Sequence, residues 1–169
     1  MNMEELKVMD DQEISVSLNR PVERNTTQYI VTRLGDEQYG IDIKFISNIV
    51  RMQKITRVPK AQRHFKGIIN LRGEIVPVMS IRLKMGLEDD QFTNASRIII
   101  LKLEEKGMLG IIVDEVMEVL TIDSSQIDKM TYDANSDIKV NYVNGICKVG
   151  DNLISLLDLN VVLTDRENA

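Results

Sequence analysis

Short runs of β-branched and aromatic residues, separated by turn residues, recur along this chain and are typical of an all-β protein. Tyr29–Leu34 and Gln38–Ile41 are two such runs, and with the turn at residues 35–37 they predict a β-hairpin. Asp42 then predicts the N-cap of a short helix, because apolar residues follow it at helical spacing. Those apolar residues are Ile43, Ile46, Ile49 and Val50.

The tightest predicted turn is the two-residue connection Arg72-Gly73. It separates the β-type runs 67–71 and 74–79, and a two-residue connection that ends in glycine favours a hairpin. Pro77 has no backbone N–H, so the second strand is predicted to lie at a sheet edge there or to carry a bulge. Upstream, residues 54–58 predict one more strand.

The second half of the chain repeats this pattern. Residues 96–103 and 108–113 predict another hairpin. Aligning Gly110 with Gly40, at an offset of 70 residues, also places the apolar residues that follow each glycine on one another. The aligned pairs are Val116 with Ile46, Val119 with Ile49, and Leu120 with Val50. Residues 145–159 align without a gap on residues 67–81, at an offset of 78, so we infer the internal duplication of a small β unit.

The repeat predicts an all-β fold with short helices, in which two small barrels pack against each other. Each unit alone is too small for a thick core, so we expect an intimate contact rather than two domains on a linker. We assign residues 28–88 and 95–165 to the two units and allow for strand exchange between them. Residues 1–27 are polar, acidic and without a sustained period, and they predict a mobile N-terminal arm.

The composition leaves little material for catalysis. The 169 residues include one histidine, one cysteine and no tryptophan, which disfavours a histidine-rich metal site and forbids an intramolecular disulfide. No glycine-rich phosphate-binding motif is present. We therefore predict a protein without enzymatic activity, catalytic residues, cofactor or metal. The acidic start and the lack of a long apolar run predict a cytoplasmic protein that does not insert into a membrane.

Some residues still admit a chemical interpretation. A group of carboxylates in the second unit has the residue types of an acid/base pair or a calcium site: Asp114, Glu115, Glu118 and Asp123. Because the oxygen-rich loop of a calcium site is missing, a solvated acidic edge is favoured. His64 has no nucleophile beside it and is interpreted as a loop histidine, and Cys147 as a core residue of a strand.

The charge distribution is strongly polarised. Residues 43–73 carry eight basic residues and no acidic one, so the rest of the chain carries a net charge of -13 against -5 for the whole. Such a segment favours steering towards an acidic partner. Nucleic acid is the alternative partner, since small barrels bind it, but the net acidity and the few aromatic residues disfavour that alternative and predict a protein that binds no nucleic acid.

Arg72 is unusual because it occupies the tight turn. Arginine offers a rigid planar fork of hydrogen-bond donors, where a lysine would serve solubility equally well. Its side chain either pairs within the protein and holds the two units in register, or it reaches a carboxylate on a partner.

Several of these segments together resemble the CheW family of bacterial chemotaxis coupling proteins. They are residues 35–43, the Arg57-Val58-Pro59 sequence, residues 65–78, residues 110–114 and residues 154–158. The resemblance runs from about Gln28 to Thr164. It implies a pair of packed five-stranded β-barrels and an adaptor that couples the cytoplasmic tips of chemoreceptors to the histidine kinase CheA, at membrane-associated receptor arrays. A regulatory module of another two-component system is the alternative.

The resemblance also implies two sets of contact residues. Receptor contact in the family uses the groove between the barrels, which carries over to Ile46, Asn48, Ile49, Gly67 and Arg72. Asn48 departs from the acidic residue that some members have at its position. Contact with the CheA regulatory domain carries over to Gln126, Ile127, Lys129 and Tyr132, which match the family in position and poorly in residue type.

Overall fold

A computed structural model describes residues 25–130 and 142–164 of the chain. These residues form eleven strands, two short helices and two 3-10 turns. The strands are β1 Thr26–Leu34, β2 Glu37–Asp42, β3 Ile46–Arg51, β4 Phe65–Leu71, β5 Glu74–Ser80, β6 Arg97–Leu103, β7 Gly107–Val113, β8 Glu115–Asp123, β9 Ile127–Lys129, β10 Val143–Val149 and β11 Asn152–Leu157. The helices are α1 Ile81–Lys84 and α2 Leu159–Thr164, and the 3-10 turns are Ile43–Phe45 and Ser124–Gln126.

The strands form two mixed sheets. Sheet I has the order β9-β10-β11-β2-β1-β8, and sheet II has the order β3-β6-β7-β5-β4. Each sheet takes strands from both halves of the chain, so the sheets do not follow the division into residues 28–88 and 95–165. The all-β class with short helices is confirmed. The N-terminal arm lies outside the described residues up to position 24, and β1 begins at Thr26, two residues before the expected start of order.

The prediction of two closed five-stranded barrels is wrong, because the strands form two open sheets. Sheet I has six strands rather than the expected five, because β9 pairs with β10 at its edge. Its two outer strands, β8 and β9, are joined covalently through the 3-10 turn Ser124–Gln126. In sheet II the segment after β3 returns to the opposite edge, where Thr56 and Ile68 exchange two backbone hydrogen bonds of 2.8 Å.

The register of the two parallel strand pairs agrees with the internal repeat. In sheet I Gly40 lies opposite Leu156, and in sheet II Gly110 lies opposite Val78. The same offsets of 70 and 78 residues relate both members of these pairs. A methyl group on Gly40 would lie 2.8 Å from Leu156 Cδ2 on the parallel partner strand, and one on Gly110 would lie 2.8 Å from Ile98 Cγ2 on the antiparallel neighbour β6. Each glycine therefore allows the close approach of an adjacent strand.

Two expected elements are wrong. The residues assigned to a helix after Asp42 form one 3-10 turn and then strand β3, which pairs with β6 from Ile46 to Arg51. The apolar spacing was ambiguous because β-branched residues suit a strand as well, and pairing with β6 decided the outcome. Residues 54–58 form no strand and contribute only the bridge at Thr56. Pro77 does lie at an edge position, since β5 pairs with β7 only from Val78 onwards.

The described residues form three hydrophobic cores, one of which joins the two sheets. One core contains residues of sheet I alone and another contains residues of sheet II alone, whereas the largest includes residues of both sheets and of both helices. Strand β6 contributes alternate residues to different cores: Ile98 and Ile100 to the core of sheet II, Ile99 and Leu101 to the shared core. Because successive side chains point to opposite faces, β6 is buried on both sides.

An ion pair between the sheets reinforces the shared core. Arg82 of α1 donates two hydrogen bonds to Asp114, of 2.9 Å from Nε and 2.6 Å from Nη2. The same carboxylate accepts the backbone N–H of Gly35, in the β1–β2 turn, at 2.8 Å. Arg33 of β1 lies 3.7 Å from Asp114 and donates to Glu115 at 3.1 Å. Asp114 therefore fastens the β1–β2 turn of sheet I to the end of sheet II.

The environment of Asp114 sets the direction of its pKa. Burial, the largest single influence, acts to raise the pKa of this carboxyl. The hydrogen bonds from Arg82 and Gly35, together with the charges of Arg82 and Arg33, outweigh burial and lower the pKa below its ordinary value of 3.8. The carboxylate is therefore ionised and paired at neutral pH.

Gly67 allows the bridge between Thr56 and Ile68 to form. Its φ angle of 141° is rarely adopted by other residues, and a methyl group on it would lie 2.1 Å from the carbonyl oxygen of Thr56. No side chain fits there, because the obstacle is backbone rather than a flexible side chain.

We expect Asp114→Asn to lower the free energy of unfolding at pH 7 by about 1.5–3 kcal/mol, the range for hydrogen bonds to charged groups. The stabilisation is present above the ordinary pKa and is lost as the pH falls through the lower folded-state pKa, so the gap between wild type and variant should narrow below about pH 4. Chemical denaturation of both proteins between pH 7 and pH 3 measures this difference in the free energy of unfolding. Glu115→Gln is the control, with an expected loss under about 1 kcal/mol. A gap that stays constant down to pH 3 would contradict the role of the ionised carboxylate.

We expect Gly67→Ala to destabilise the protein by more than the backbone strain of about 1–3 kcal/mol, because the new methyl group meets the carbonyl of Thr56. Gly73→Ala is the matched control, since Gly73 also has positive φ, 87°, but nothing within 4 Å of a new methyl group. Urea denaturation of both variants measures the difference. Equal losses would show that the contact with Thr56 is unimportant.

Candidate partner-binding surfaces

Strand β3 is an outer strand of sheet II and carries three of the predicted receptor-contact residues. Ile46 and Ile49 are half-buried and pack against the shared core, so they lie at the margin of the junction between the sheets. Asn48 lies between them, and its Oδ1 atom is buried with no hydrogen-bond partner in the described part of the chain. The strand thus offers an unpaired backbone edge next to apolar side chains.

The repeat places strand β8 of sheet I at the position equivalent to β3. It is also an outer strand, and Met117 and Val119 on it are 44% and 55% exposed. Val116 packs against the shared core, as Ile46 does. The internal repeat aligns Val116 and Val119 with Ile46 and Ile49 of β3, but neither Met117 nor Val119 is among the predicted contact residues. Glu118 between them is the one charged neighbour, so little in the sequence indicates that they lie on an outer strand.

Arg72 stands at the tip of the β4–β5 hairpin. Its φ of 53° and the 87° of Gly73 fit a type I′ turn, and the N–H of Gly73 donates to Asn70 Oδ1 at 2.9 Å. Arg72 is exposed and has no ion-pair partner within the described residues, which favours contact with a partner over a contact inside the protein. Ile75, three residues further on, is 66% exposed and extends this tip with apolar surface.

The five predicted receptor-contact residues are divided between the two outer strands of sheet II. Ile46, Asn48 and Ile49 lie on β3, whereas Gly67 and Arg72 lie on or beside β4, and these are the two outer strands of sheet II. The Thr56 bridge brings the chain that follows β3 next to β4. Gly67 is buried, and the carbonyl oxygen of Thr56 leaves no space for a side chain on it. Its role is therefore to allow this backbone conformation.

The predicted kinase-contact residues lie around β9. Gln126 completes a capping box, since its side-chain oxygen accepts the N–H of Asp123 at 2.9 Å. Ile127 packs against the core of sheet I and closely approaches Gly145, where a new methyl group would lie 2.5 Å from it. Lys129 is exposed at the end of the strand. Tyr132 lies outside the described residues.

Residues of the basic segment, together with Leu83, Asp89 and Phe92, line an open groove of about 580 Å³. Val58, Phe65 and Phe92 are exposed in it, and Arg57, Lys60 and Arg63 line it. Lys66 also lines the groove and is paired, with its ammonium 2.5 Å from the carboxylate of Asp89, which lies in the same groove. The groove therefore combines apolar contact area with positive charge.

The residues considered for chemistry have structural surroundings. Of the carboxylates assigned to a solvated edge, Asp114 is instead paired with Arg82, and Asp123 caps a 3-10 turn by accepting the N–H of Ser125 at 2.9 Å. Cys147 is buried in the core of sheet I, as predicted, and burial raises the pKa of its thiol. His64 is a loop residue, as predicted, but it is buried, with its ring 4.7 Å from that of Phe65.

Among the described residues, no helix has the length and apolar character needed to cross a membrane. The two helices have four and six residues.

The comparisons with known proteins agree with this architecture. The family model for the CheW-like domain matches residues 28–167. The chemotaxis protein CheW of Bacillus subtilis is 33% identical over 140 residues, covering 83% of this chain and 88% of its own length. CheW of Klebsiella aerogenes is 30% identical over 142 residues, covering 84% of both chains.

A solved structure of a CheW protein has a similar fold. The crystal structure of the scaffolding protein TtCheW from Thermoanaerobacter tengcongensis superposes with a TM-score of 0.74 at 32% identity, covering 88% of this chain and 92% of that one. None of the relatives named here supports the nucleic-acid alternative. With the duplicated sheets and the two outer strands described above, these matches show that the chain belongs to the CheW family and serves as a chemotaxis coupling adaptor.

Proposed function

We propose that this adaptor holds the cytoplasmic tips of chemoreceptors next to the regulatory domain of the histidine kinase CheA, in the cytoplasm at receptor arrays. The observation that carries the proposal is that the predicted receptor and kinase contacts include residues on outer strands of different sheets, β3 in sheet II and β9 in sheet I. An adaptor needs separate surfaces on a rigid body and changes no covalent bond, so the duplicated sheets suit it.

The receptor surface in this proposal is formed by β3 together with the Arg72 hairpin tip. Ile46 and Ile49 supply apolar contacts at the junction of the sheets, and Asn48 brings a buried carbonyl oxygen that lacks a donor in the described structure. Arg72 supplies an exposed guanidinium, which suits a carboxylate on a receptor helix. Gly67 acts indirectly, since it keeps the backbone in place.

The kinase surface in this proposal lies at the end of β9. The capping box at Gln126 fixes the backbone there, and Ile127 anchors the strand to the core of sheet I. These two residues therefore position the surface, whereas Lys129 is available to a partner. The CheA regulatory domain is the occupant that the family resemblance implies.

Positive charge assists the approach of an acidic partner. Arg57, Lys60 and Arg63, around the groove of Val58, Phe65 and Phe92, lie on exposed loops and create a positive potential there, whereas Lys66 is paired with Asp89. Each contact surface of an adaptor can be small and individually weak, because neighbouring contacts in an array raise the effective concentration.

We expect Arg72→Glu to weaken binding to a receptor cytoplasmic fragment at least about tenfold, since a like charge would replace the donor fork. Isothermal titration with the receptor fragment measures the change, and circular dichroism checks that Tm is unaltered. Lys106→Glu is the matched control, because Lys106 is an exposed basic residue in the β6–β7 turn. A large drop in Tm for Arg72→Glu alone would assign Arg72 a structural role and refute the contact.

We expect the association rate with the receptor fragment to fall as salt is raised from 50 to 500 mM. At about 0.15 M the screening length is roughly 8 Å, so steering between exposed charges is already weakened there. Stopped-flow or surface plasmon resonance gives the rate. A rate independent of salt would remove the electrostatic part of the proposal and leave the apolar contacts.

A further inference from the structure

Two arginines face each other across neighbouring strands of sheet II. Arg51 on β3 lies directly opposite Arg97 on β6 in the antiparallel register. Side chains in such positions have Cβ atoms about 4.5–5.5 Å apart, and like charges there are destabilising. The arrangement therefore costs stability unless an anion lies between the two side chains.

The protein supplies no such anion in the residues that the structure describes. Neither arginine has a carboxylate within ion-pair distance there, in contrast to Arg82 and Arg33. Both line an open hollow of about 320 Å³, whose other lining residues are uncharged: Met52, Thr93, Asn94 and Ser96. The hollow thus presents two guanidinium groups and three polar residues, and no acidic group, to whatever enters it.

The guanidinium of Arg97 is held in place before any ligand arrives. Its Nη1 donates to the backbone oxygens of Asn94 and Ser96, at 2.7 and 2.8 Å. The loop that provides these oxygens is itself fixed, because the N–H of Thr93 donates to Ser96 Oγ at 2.8 Å and the N–H of Ser96 donates to the oxygen of Thr93 at 3.1 Å. Nε and Nη2 of Arg97 donate to no acceptor among residues 25–130 and 142–164 and are available to a ligand.

We propose that this hollow is an oxyanion-binding site, in which a carboxylate or a phosphate group bridges Arg51 and Arg97. The planar fork of arginine matches both groups, and two charge-assisted hydrogen bonds from each fork fix the orientation of the anion. The bound anion removes the repulsion between the strands, so binding and strand pairing reinforce each other. The site shares strand β3 with the proposed receptor surface through Arg51, but it uses none of the predicted receptor-contact residues Ile46, Asn48, Ile49, Gly67 and Arg72.

The test compares wild type with Arg51→Gln in sodium chloride, sodium acetate and sodium phosphate at pH 7 and matched ionic strength. In chloride we expect Arg51→Gln to be at least as stable as wild type, because the repulsion has gone. At about ten times the dissociation constant, a bridging anion should raise the wild-type Tm by about 3–6 °C more than that of the variant. Phosphate also stabilises proteins non-specifically, and the comparison between chains cancels that effect.

Two further variants sharpen the test. Lys54→Gln removes an exposed charge from the same basic segment outside the hollow and should respond to anions as wild type does. Arg97→Lys keeps the charge but loses the planar fork, and should lose most of the anion response. The Nε–Hε signals of Arg51 and Arg97 in a ¹H–¹⁵N spectrum should shift and saturate as acetate or phosphate is added to wild type.

Each outcome is informative. A response to phosphate alone assigns the site to a phosphate group, and a response to acetate alone assigns it to a carboxylate, such as an acidic side chain of a partner. Equal anion responses in wild type and Arg51→Gln, with unshifted arginine signals, would overturn the proposal. So would a response that Lys54→Gln abolishes equally, because it would report overall charge rather than this hollow.

Discussion

The fold depends on a core that neither half of the chain can form alone. Strands β6 and β7 come from the second half but stand in the middle of sheet II, and β6 is buried on both faces. Its outward side chains complete the core of sheet II, and its inward side chains meet those of sheet I. Separating the halves would therefore expose two apolar surfaces, which ties both sheets into one cooperative body.

The two halves of the internal repeat differ in the charged residues at equivalent positions. Asp114, which joins the two sheets, corresponds in the repeat to Lys44, and its partner Arg82 corresponds to Asn160. The ion pair therefore exists at only one of the two equivalent positions. Similar backbones with different surface charge provide unlike surfaces on one rigid body, which is what an adaptor for two different partners requires.

The candidate contact residues depend on the tertiary structure to different degrees. Arg72 was recognisable from its turn, because a tight hairpin exposes whatever side chain it carries. Gly67 looked like a contact residue through the family resemblance, whereas its surroundings show a backbone that must approach Thr56 closely. Met117 and Val119 were not named as contacts, since only the sheet order shows that β8 is an outer strand.

The sequence by itself predicted the repeat and the buried strand position of Cys147, and it determined the features that rest on neighbouring residues, namely the hairpins and the Arg72-Gly73 turn. Local turn chemistry and alternation are enough for these, because the interacting residues are close along the chain. The tertiary structure alone decided that residues 46–51 form a strand, that the halves share strands, and that Asp114 pairs with Arg82 at a separation of 32 residues. Such pairings join distant segments, and their energies arise only when the sheets assemble.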